Sequence, residues 1–401
     1  MTITRRQALT LGAALAMSAC APEASQQSTR PTPPGGPGTL FAETASGLVR
    51  LDLASGTVTG TYPGAVAGAR WARLYQLDHG LLRTYTAATG RLVTTTPVPG
   101  QQIKAVSGRV VAVAPAPGPR RRTTITLATE DGNRTLELDG NIEPEAFSGN
   151  GQVMYVLDYL PPDRPERYRV RMVDLDSGRP APLHTRDKKV IPAGKEEEMR
   201  GRGRQAVLDP DASVLYTLYT HQDDHLHTRD LLAGRDLDPG VHAFVHVLNL
   251  NQFWAYCLDL PAPFGLGPAQ AHTIALAPES KRLYVFDAST GRVVQASTDD
   301  LTIRRSGFLG RQPGEAFAVT DGDRLYLGAG SRVQVADGET LAPRAAWDLP
   351  GQARGLAWLD GELLAGAGEQ VLRLRSDTGG RLAAITVPGL RTVLHAEPVT
   401  G

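Results

Sequence analysis

The sequence LYVFDASTGRVV, residues 283–294, has the pattern of one strand, one tight turn and the beginning of a second strand. Aromatic and β-branched residues favour strands on both sides of the turn. In the turn itself, the Asp287 side chain can accept backbone hydrogen bonds, and Gly291 readily takes a positive φ angle. Outward from this hairpin, the flanking sequence completes a unit of four short strands. These strands are predicted at His272–Leu276, Arg282–Phe286, Val293–Ala296 and Thr302–Ser306.

The same unit recurs along the chain. A hydrophobic pair marks each copy, and successive pairs begin 34 to 68 residues apart. Short alternating strands that repeat about every 40 residues are typical of propeller blades. We therefore predict an all-β, closed β-propeller of eight four-stranded blades, with seven as the alternative because the inner strand near Ala69–Ala72 is weak. The pairs are Leu40-Phe41, Leu74-Tyr75, Val110-Val111, Met154-Tyr155, Leu215-Tyr216, Leu283-Tyr284, Leu325-Tyr326 and Leu363-Leu364.

The two ends of the repeat region complement each other. The first unit begins at Thr39 in the second strand position and lacks an inner strand, whereas Arg391–Ala396 forms an extra strand after the last unit. Pairing the two would remove both free sheet edges, which otherwise invite aggregation. This complementarity favours a closed ring over an open solenoid.

Two of these repeats carry a family resemblance. Leu208–Tyr216 and Leu283–Val294 are similar to the turn-plus-Leu-Tyr phrase of YVTN-type and TolB-like bacterial propellers. The resemblance implies the propeller fold and an extracytoplasmic binding role. It provides no catalytic residues to carry over.

The first twenty residues resemble an export signal. Arg5 and Arg6 precede an apolar run, residues 8–19, which is too short to cross a bilayer, and the pair resembles a twin-arginine signal. The run ends in Met17-Ser18-Ala19-Cys20, which resembles a bacterial lipobox. We predict a signal peptide over residues 1–19 and lipidation at Cys20. The alternative is ordinary cleavage near Ala19, with Cys20 merely flanking the site.

The remaining chain divides into a tether and a folded body. Residues 20–38 contain almost no apolar side chains and are predicted to form a flexible linker. The propeller domain then spans residues 39–401. Because the predicted lipid anchor and linker precede it, we expect this domain at the outer face of the cytoplasmic membrane. The chain has 2 cysteines, and Cys257 is left as a lone thiol that we expect to pack as a small apolar residue.

Composition excludes some partners but names none. Lys plus Arg and Asp plus Glu are both 42, so the balanced charge gives no reason to expect a nucleic-acid partner. The motifs of serine hydrolases, zinc proteases, P-loops and EF-hands are absent from the sequence. Propeller enzymes draw their catalytic groups from several blades, so this absence leaves the catalytic residues unknown.

The spacings of 61 and 68 residues indicate insertions near 186–204 and 221–240. The second insertion contains His221, His225 and His227, and imidazole nitrogen binds divalent zinc, copper or nickel. The sequence favours a solvated loop with no cofactor, in which His242 and His246 pack along the following strand. The alternative is a divalent metal bound by His221, His225 and His227.

The first insertion contains both basic residues and the three acidic residues Glu196, Glu197 and Glu198. It would either contact anionic lipid or wall polymer or form a solvated loop.

Two functions remain open from the sequence. One is a lipid-anchored module that binds an extracytoplasmic protein, a glycan or a small molecule. The other is a propeller hydrolase, lactonase or quinone-dependent oxidoreductase with its site at the channel mouth.

Overall fold

The computed structural model describes residues 2–3, 37–200, 203–238 and 240–398. Eight antiparallel sheets, each built on four consecutive strand positions, form a ring. The protein is an eight-bladed β-propeller, as the sequence predicts. Blades are numbered here from the first hydrophobic pair, and their strands are given from the inner to the outer edge.

Blades 1 to 4 occupy the first half of the ring. Blade 1 comprises Leu390–Pro398, Gly38–Thr44, Gly47–Asp52 and Thr57–Tyr62. Blade 2 comprises Val66–Ala67, Arg73–Asp78, Leu81–Thr86 and Leu92–Pro97. Blade 3 comprises Gln102–Val106, Val111–Ala114, Arg122–Thr129 and Gly132–Asp139. Blade 4 comprises Asn141–Phe147, Val153–Leu160, Arg167–Asp174 and Arg179–Pro182, and Met199–Arg200 also pairs with its third strand.

Blades 5 to 8 complete the ring. Blade 5 comprises Gly203–Asp209, Val214–Thr220, Ala243–Asn249 and Trp254–Asp259, and Thr2–Ile3 pairs with its inner strand. Blade 6 comprises His272–Ala277, Arg282–Asp287, Arg292–Ser297 and Ile303–Phe308. Blade 7 comprises Ala316–Thr320, Arg324–Ala329, Arg332–Asp337 and Pro343–Asp348. Blade 8 comprises Ala353–Leu359, Glu362–Ala367, Gln370–Arg375 and Arg381–Thr386.

The ring closes as predicted, because Leu390–Pro398 pairs antiparallel with Gly38–Thr44 and supplies the inner strand of blade 1. The prediction for blade 2 was wrong in position. Its inner strand is Val66–Ala67, and the stretch Ala69–Ala72 forms a turn in which Trp71 has a φ of 55° and its N–H bonds the carbonyl of Gly68. A two-residue strand leaves too weak an alternation to be located from sequence.

The recurring hydrophobic pair joins neighbouring blades. Leu283 and Tyr284 point to opposite faces of their strand, yet both are buried because another blade covers each face. The Tyr284 hydroxyl also donates a hydrogen bond to the carbonyl of Gly338 in blade 7, at 2.6 Å. Tyrosines at the same position in blades 2, 4 and 7 bond the backbone of the next blade in the same way. They are Tyr75, Tyr155 and Tyr326.

Helical structure in the described residues is confined to Thr228–Ala233 and the 3-10 turn Ala269–Ala271. The described part of the chain has no helix that is both apolar enough and long enough to span a membrane. The predicted export and lipidation residues Arg5, Arg6 and Cys20 lie outside the described residues.

Candidate metal centre

Two connections around blade 5 depart from the regular pattern. Residues 183–202 lead from blade 4 into blade 5, and residues 221–242 join the second and third strands of blade 5. Because strands alternate in direction, both connections leave the sheets at the same face of the ring. The second contains the helix Thr228–Ala233, which is too short to give a periodic pattern and was not predicted.

The three consecutive glutamates of the first connection, which precede the strand Met199–Arg200, contact different groups of residues. Glu196 bonds Arg169 at 2.9 Å and Arg171 at 3.0 Å, and Glu198 pairs with Arg167 at 3.0 Å. These arginines alternate along the third strand of blade 4. Glu196 and Glu198 are thereby held against blade 4, whereas the intervening Glu197 contacts a different set of residues. The expected solvated loop is therefore wrong for Glu196 and Glu197, whose side chains are 8% and 11% exposed.

Glu197 lies in a buried cluster with His225, His227 and Cys257. One ligand atom of each residue lies within 4.8 Å of all the others. Glu197 Oε1 is 3.1 Å from His225 Nε2 and 3.7 Å from His227 Nδ1, and the Cys257 thiol donates to it at 2.8 Å. The two imidazoles are 3.1 Å apart, from His225 Nε2 to His227 Nδ1. The two connections and the outer strand of blade 5 thus converge on one point.

Neighbouring groups hold these side chains in place. The Asp259 carboxylate accepts a hydrogen bond from His227 Nε2 at 2.6 Å, which leaves Nδ1 of that ring facing the cluster. Glu197 Oε2 accepts from the backbone N–H of Thr228 at 3.2 Å, which leaves Oε1 facing the cluster. The His225 ring stacks on Phe244, with centroids 4.5 Å apart. Each of these contacts directs a ligand atom inward.

Hydrogen bonds and burial shift the pKa values of the residues in this cluster. Burial acts to raise the pKa of Glu197, but hydrogen bonds from His225 and His227 outweigh it and hold that pKa well below its usual range. Burial opposes protonation of His227, yet its bonds to Asp259 and Glu197 raise the pKa to about 9. Burial, reinforced by the Glu197 charge, raises the pKa of Cys257 well above its usual range. An ionised carboxylate is thus balanced by a protonated imidazole.

The structure brings together only part of the predicted histidine set. His225 and His227 meet as expected from their spacing, but His221 lies apart, with its Nδ1 3.0 Å from the Thr220 hydroxyl. His242 contacts Asp223, and His246 is buried beside the cluster with a pKa lowered by burial to about 4. His246 therefore adds no positive charge at neutral pH.

Sequence reasoning missed two members of the cluster, Glu197 and Cys257. Cys257 is buried as expected, but its thiol faces a carboxylate rather than apolar side chains. The two residues lie 60 positions apart, and no local spacing connects them. The one available signal was the alternation of arginines at 167, 169 and 171 opposite Glu196 and Glu198, which leaves Glu197 free to turn the other way.

The donor set has a definite chemical preference. Thiolate and imidazole ligands favour zinc and other borderline or soft metals over calcium and magnesium. With ligand bonds of about 2.0–2.3 Å, the edges of a tetrahedral zinc site are about 3.3–3.8 Å long. Four of the six distances among the ligand atoms span 2.8 to 3.7 Å, and the other two, from Cys257 Sγ to the imidazoles, lie within 4.8 Å, so modest shifts of these side chains would accommodate the ion.

Comparisons with known proteins give the fold alone. No family profile matches the chain, and no curated protein is similar to it in sequence. Among solved structures, apo AztD from Citrobacter koseri superposes with a TM-score of 0.55 at 10% identity, covering 92% of this chain and 100% of AztD. A second AztD structure from that organism superposes with a TM-score of 0.55 at 10% identity, covering 90% of this chain and 97% of AztD. At this level of identity, the likeness identifies the chain as a β-propeller and assigns no activity.

Proposed function

We propose that this chain is an exported, lipid-anchored β-propeller that holds a zinc ion between its two blade 5 connections and serves as a binding or scaffold module. The convergence of Glu197, His225, His227 and Cys257 on one buried point is the observation that carries the metal assignment. Lipid anchoring rests on Cys20 and on Arg5 and Arg6 in the sequence.

The number of ligands favours a structural or storage role over catalysis. Structural zinc sites have four protein ligands, whereas catalytic sites keep one position open for water or substrate. The cluster offers four donors, and two of their side chains, His225 and His227, are only 2% and 5% exposed. All four come from blade 5 and the connection that enters it, rather than from several blades around the channel mouth.

A bound ion would fasten the two connections to each other. Glu197 belongs to the connection between blades 4 and 5, and His225 and His227 belong to the connection within blade 5. Neither segment has a full sheet of its own to hold it. The metal would supply a cross-link between them and to the strand that carries Cys257.

Metal content of the purified protein tests this proposal. The full chain, reconstituted with zinc and desalted, should retain about one equivalent by elemental analysis, and the His225→Ala/His227→Ala double variant should retain none. His221→Ala is the matched control, because His221 belongs to the same connection but lies outside the cluster, and it should retain zinc. Equal zinc in the wild type and the double variant would refute the assignment.

A further inference from the structure

A second site lies between blades 5 and 6. It is a cleft of about 460 Å³, at the opposite face of the ring from the connection that carries His225 and His227. Its walls are the turns that join the first two and the last two strands of each blade. The Arg186 guanidinium closes one side, where it donates to the carbonyls of Asp299 and Asp300. This volume lies within the range of small-molecule sites, roughly 300–1,000 Å³.

The register of blade 5 turns two polar side chains toward blade 6. Val214 packs in the apolar core that the two blades share, together with Leu283 and Leu301 of blade 6. Asp209 and Asn249 lie directly opposite Val214 on the two neighbouring strands, and residues that pair across strands point to the same face. Both side chains therefore face blade 6, at the end of the sheet where the cleft opens.

Turn hydrogen bonds hold each of these side chains and use only one of its two polar atoms. Asp209 Oδ1 accepts from the backbone N–H groups two and three residues ahead, at 3.0 and 2.9 Å. Asn249 Oδ1 accepts from the equivalent N–H groups of its own turn, at 3.1 and 2.8 Å. Because an N–H group needs an oxygen acceptor, these bonds also identify Nδ2 as the second atom of the Asn249 amide.

The second atom of each side chain is open to the cleft. Asp209 Oδ2 and Asn249 Nδ2 make no hydrogen bond to a described residue, although each residue is only 8% exposed. Neither atom is among the unpartnered polar atoms that the described part of the chain seals from solvent. Because both residues line the cleft, the space that these atoms reach is the cleft itself. Buried polar groups are almost always paired, so this unused acceptor and this unused donor indicate a ligand.

Charge favours a cationic ligand. Four carboxylates and two cationic side chains line the cleft, so its net charge is negative. At its rim, Asp211 is paired with Arg70, and Asp299 is paired with Lys281. Asp209 is the one buried acid of the lining and forms no ion pair with a described residue. An ammonium group would supply both the counter-charge and the hydrogen-bond donor that this carboxylate lacks.

Asn249 adds a second requirement. Its free N–H group is a donor, so the ligand needs an acceptor such as a hydroxyl oxygen. Two strand spacings, about 10 Å, separate the backbones that carry Asp209 and Asn249, which lets one molecule of the size of a sugar reach both side chains. A simple polyamine has the charge but no acceptor, and a free amino acid brings a carboxylate that Asp209 would repel. The two requirements together describe a hydroxylated amine.

We propose that this cleft binds an amino sugar, with the ammonium group on Asp209 and a hydroxyl oxygen on Asn249. This ligand deepens the proposed function, because it gives the binding module a class of ligand. The cleft shares no residue with the metal cluster, so a failure of the zinc assignment would leave this proposal standing.

Isothermal titration calorimetry of the full-length protein, in a buffer free of amines, tests binding with D-glucosamine, D-galactosamine and D-mannosamine. At least one should bind. D-glucose, which lacks the charge, and putrescine, which lacks the hydroxyl groups, should each bind at least about tenfold more weakly than the best amino sugar. Failure of all three amino sugars to bind at millimolar concentration would overturn the proposal, as would equal binding of glucose or putrescine.

Exchanging the acid and the amide tests each residue while its turn stays capped, because aspartate and asparagine both keep the Oδ1 acceptor. Asp209→Asn should weaken the best amino sugar by at least about tenfold and remove its advantage over glucose. Asn249→Asp should instead make putrescine bind more tightly than the amino sugar, since two carboxylates then face the ligand. Asp52→Asn, which replaces the acid of a similar turn in blade 1, is the matched control and should bind like the wild type.

Thermal unfolding separates loss of the site from loss of the fold. Without ligand, Asp209→Asn should unfold close to the wild-type temperature, because its turn keeps both hydrogen bonds. A saturating amino sugar should raise the unfolding temperature of the wild type and of Asp52→Asn but not that of Asp209→Asn. An equal rise in wild type and Asp209→Asn would show that the ligand binds elsewhere and would refute the assignment.

Discussion

Asp259 accepts a hydrogen bond from Nε2 of His227 at 2.6 Å, and this contact determines which nitrogen of the ring faces the buried cluster. Asp259 is itself paired with Arg229, at 2.5 Å, so the carboxylate cannot rotate freely. Carboxylate–histidine pairs of this kind orient metal ligands and raise their basicity. The pair gives the zinc assignment a test that leaves every proposed ligand in place.

Asp259→Ala should weaken zinc binding by about 10–100-fold, because His227 loses the acceptor that fixes its tautomer. Asp259→Asn should lose less zinc affinity than Asp259→Ala, since the amide oxygen of asparagine can still accept the hydrogen bond. Competition against a chromophoric chelator measures both. Asp223→Ala is the control, because Asp223 contacts His242 outside the cluster. An unchanged affinity in Asp259→Ala would show that the pair does not support a metal ligand.

Zinc affinity should fall as the pH is lowered. The metal-free protein keeps His227 protonated below its pKa of about 9 and Cys257 protonated to higher pH still, so the ion must displace both protons. While both remain protonated, affinity should rise by about a hundredfold for each pH unit. Chelator competition between pH 6 and 8 measures the slope. Asp259→Asn should give a shallower slope, because His227 then loses a charged acceptor, and a flat profile in the wild type would contradict the assignment.

Tyr284→Phe should lower the free energy of unfolding by about 0.5–1.5 kcal/mol, because it removes one hydrogen bond between blades 6 and 7. The loss of stability should lie toward the lower end of this range, since the Gly338 carbonyl keeps a second donor, the Gln295 amide, at 2.6 Å. Urea unfolding measures it. Tyr85→Phe is the comparison, because its hydroxyl bonds Gln76 within one blade. No loss in Tyr284→Phe would mean that the contact between blades is energetically neutral.

Cys20→Ser should release the protein from the membrane fraction if an acyl chain on that residue is its anchor. Cell fractionation with immunodetection distinguishes the two forms, and retention of the variant in the membrane would refute lipid anchoring. Ser306→Ala, at an exposed position on the outer strand of blade 6, is the control and should remain in the membrane.

Replacing Arg5 and Arg6 together with lysine should block export if the twin-arginine route is used. The precursor should then accumulate inside the cell, where its size on a gel identifies it. Unimpeded export of the variant would point to another route. The single Arg83→Lys substitution, within the propeller, is the control and should be exported normally.

The fold could be predicted from sequence because its signals are local. The hairpin at residues 283–294 contains its strands and its turn in twelve consecutive residues, and the Asp287 side chain caps that turn as expected, accepting from the N–H of Ser289 at 2.9 Å. The closing strand could be predicted because one unit lacked a strand and the chain offered a spare one.

The metal cluster could be predicted only in part, for a related reason. His225 and His227 are two apart, so extended backbone brings them to one side. Glu197 and Cys257 reach the same point through the packing of a connection against blade 5, which depends on ion pairs between Glu196 and the arginines of blade 4. Such contacts join distant segments, and periodicity within one segment does not reveal them.

The pairing of Gly38–Thr44 with Leu390–Pro398 also sets the order of events during synthesis. The strand Gly38–Thr44 pairs at once with Gly47–Asp52 on one edge, but its other edge stays open until Leu390–Pro398 has been made, after seven other blades. A nascent chain interrupted before residue 390 would remain an unclosed crescent, open to chaperones and proteases. Completion of the ring thus requires that translation has passed through every blade.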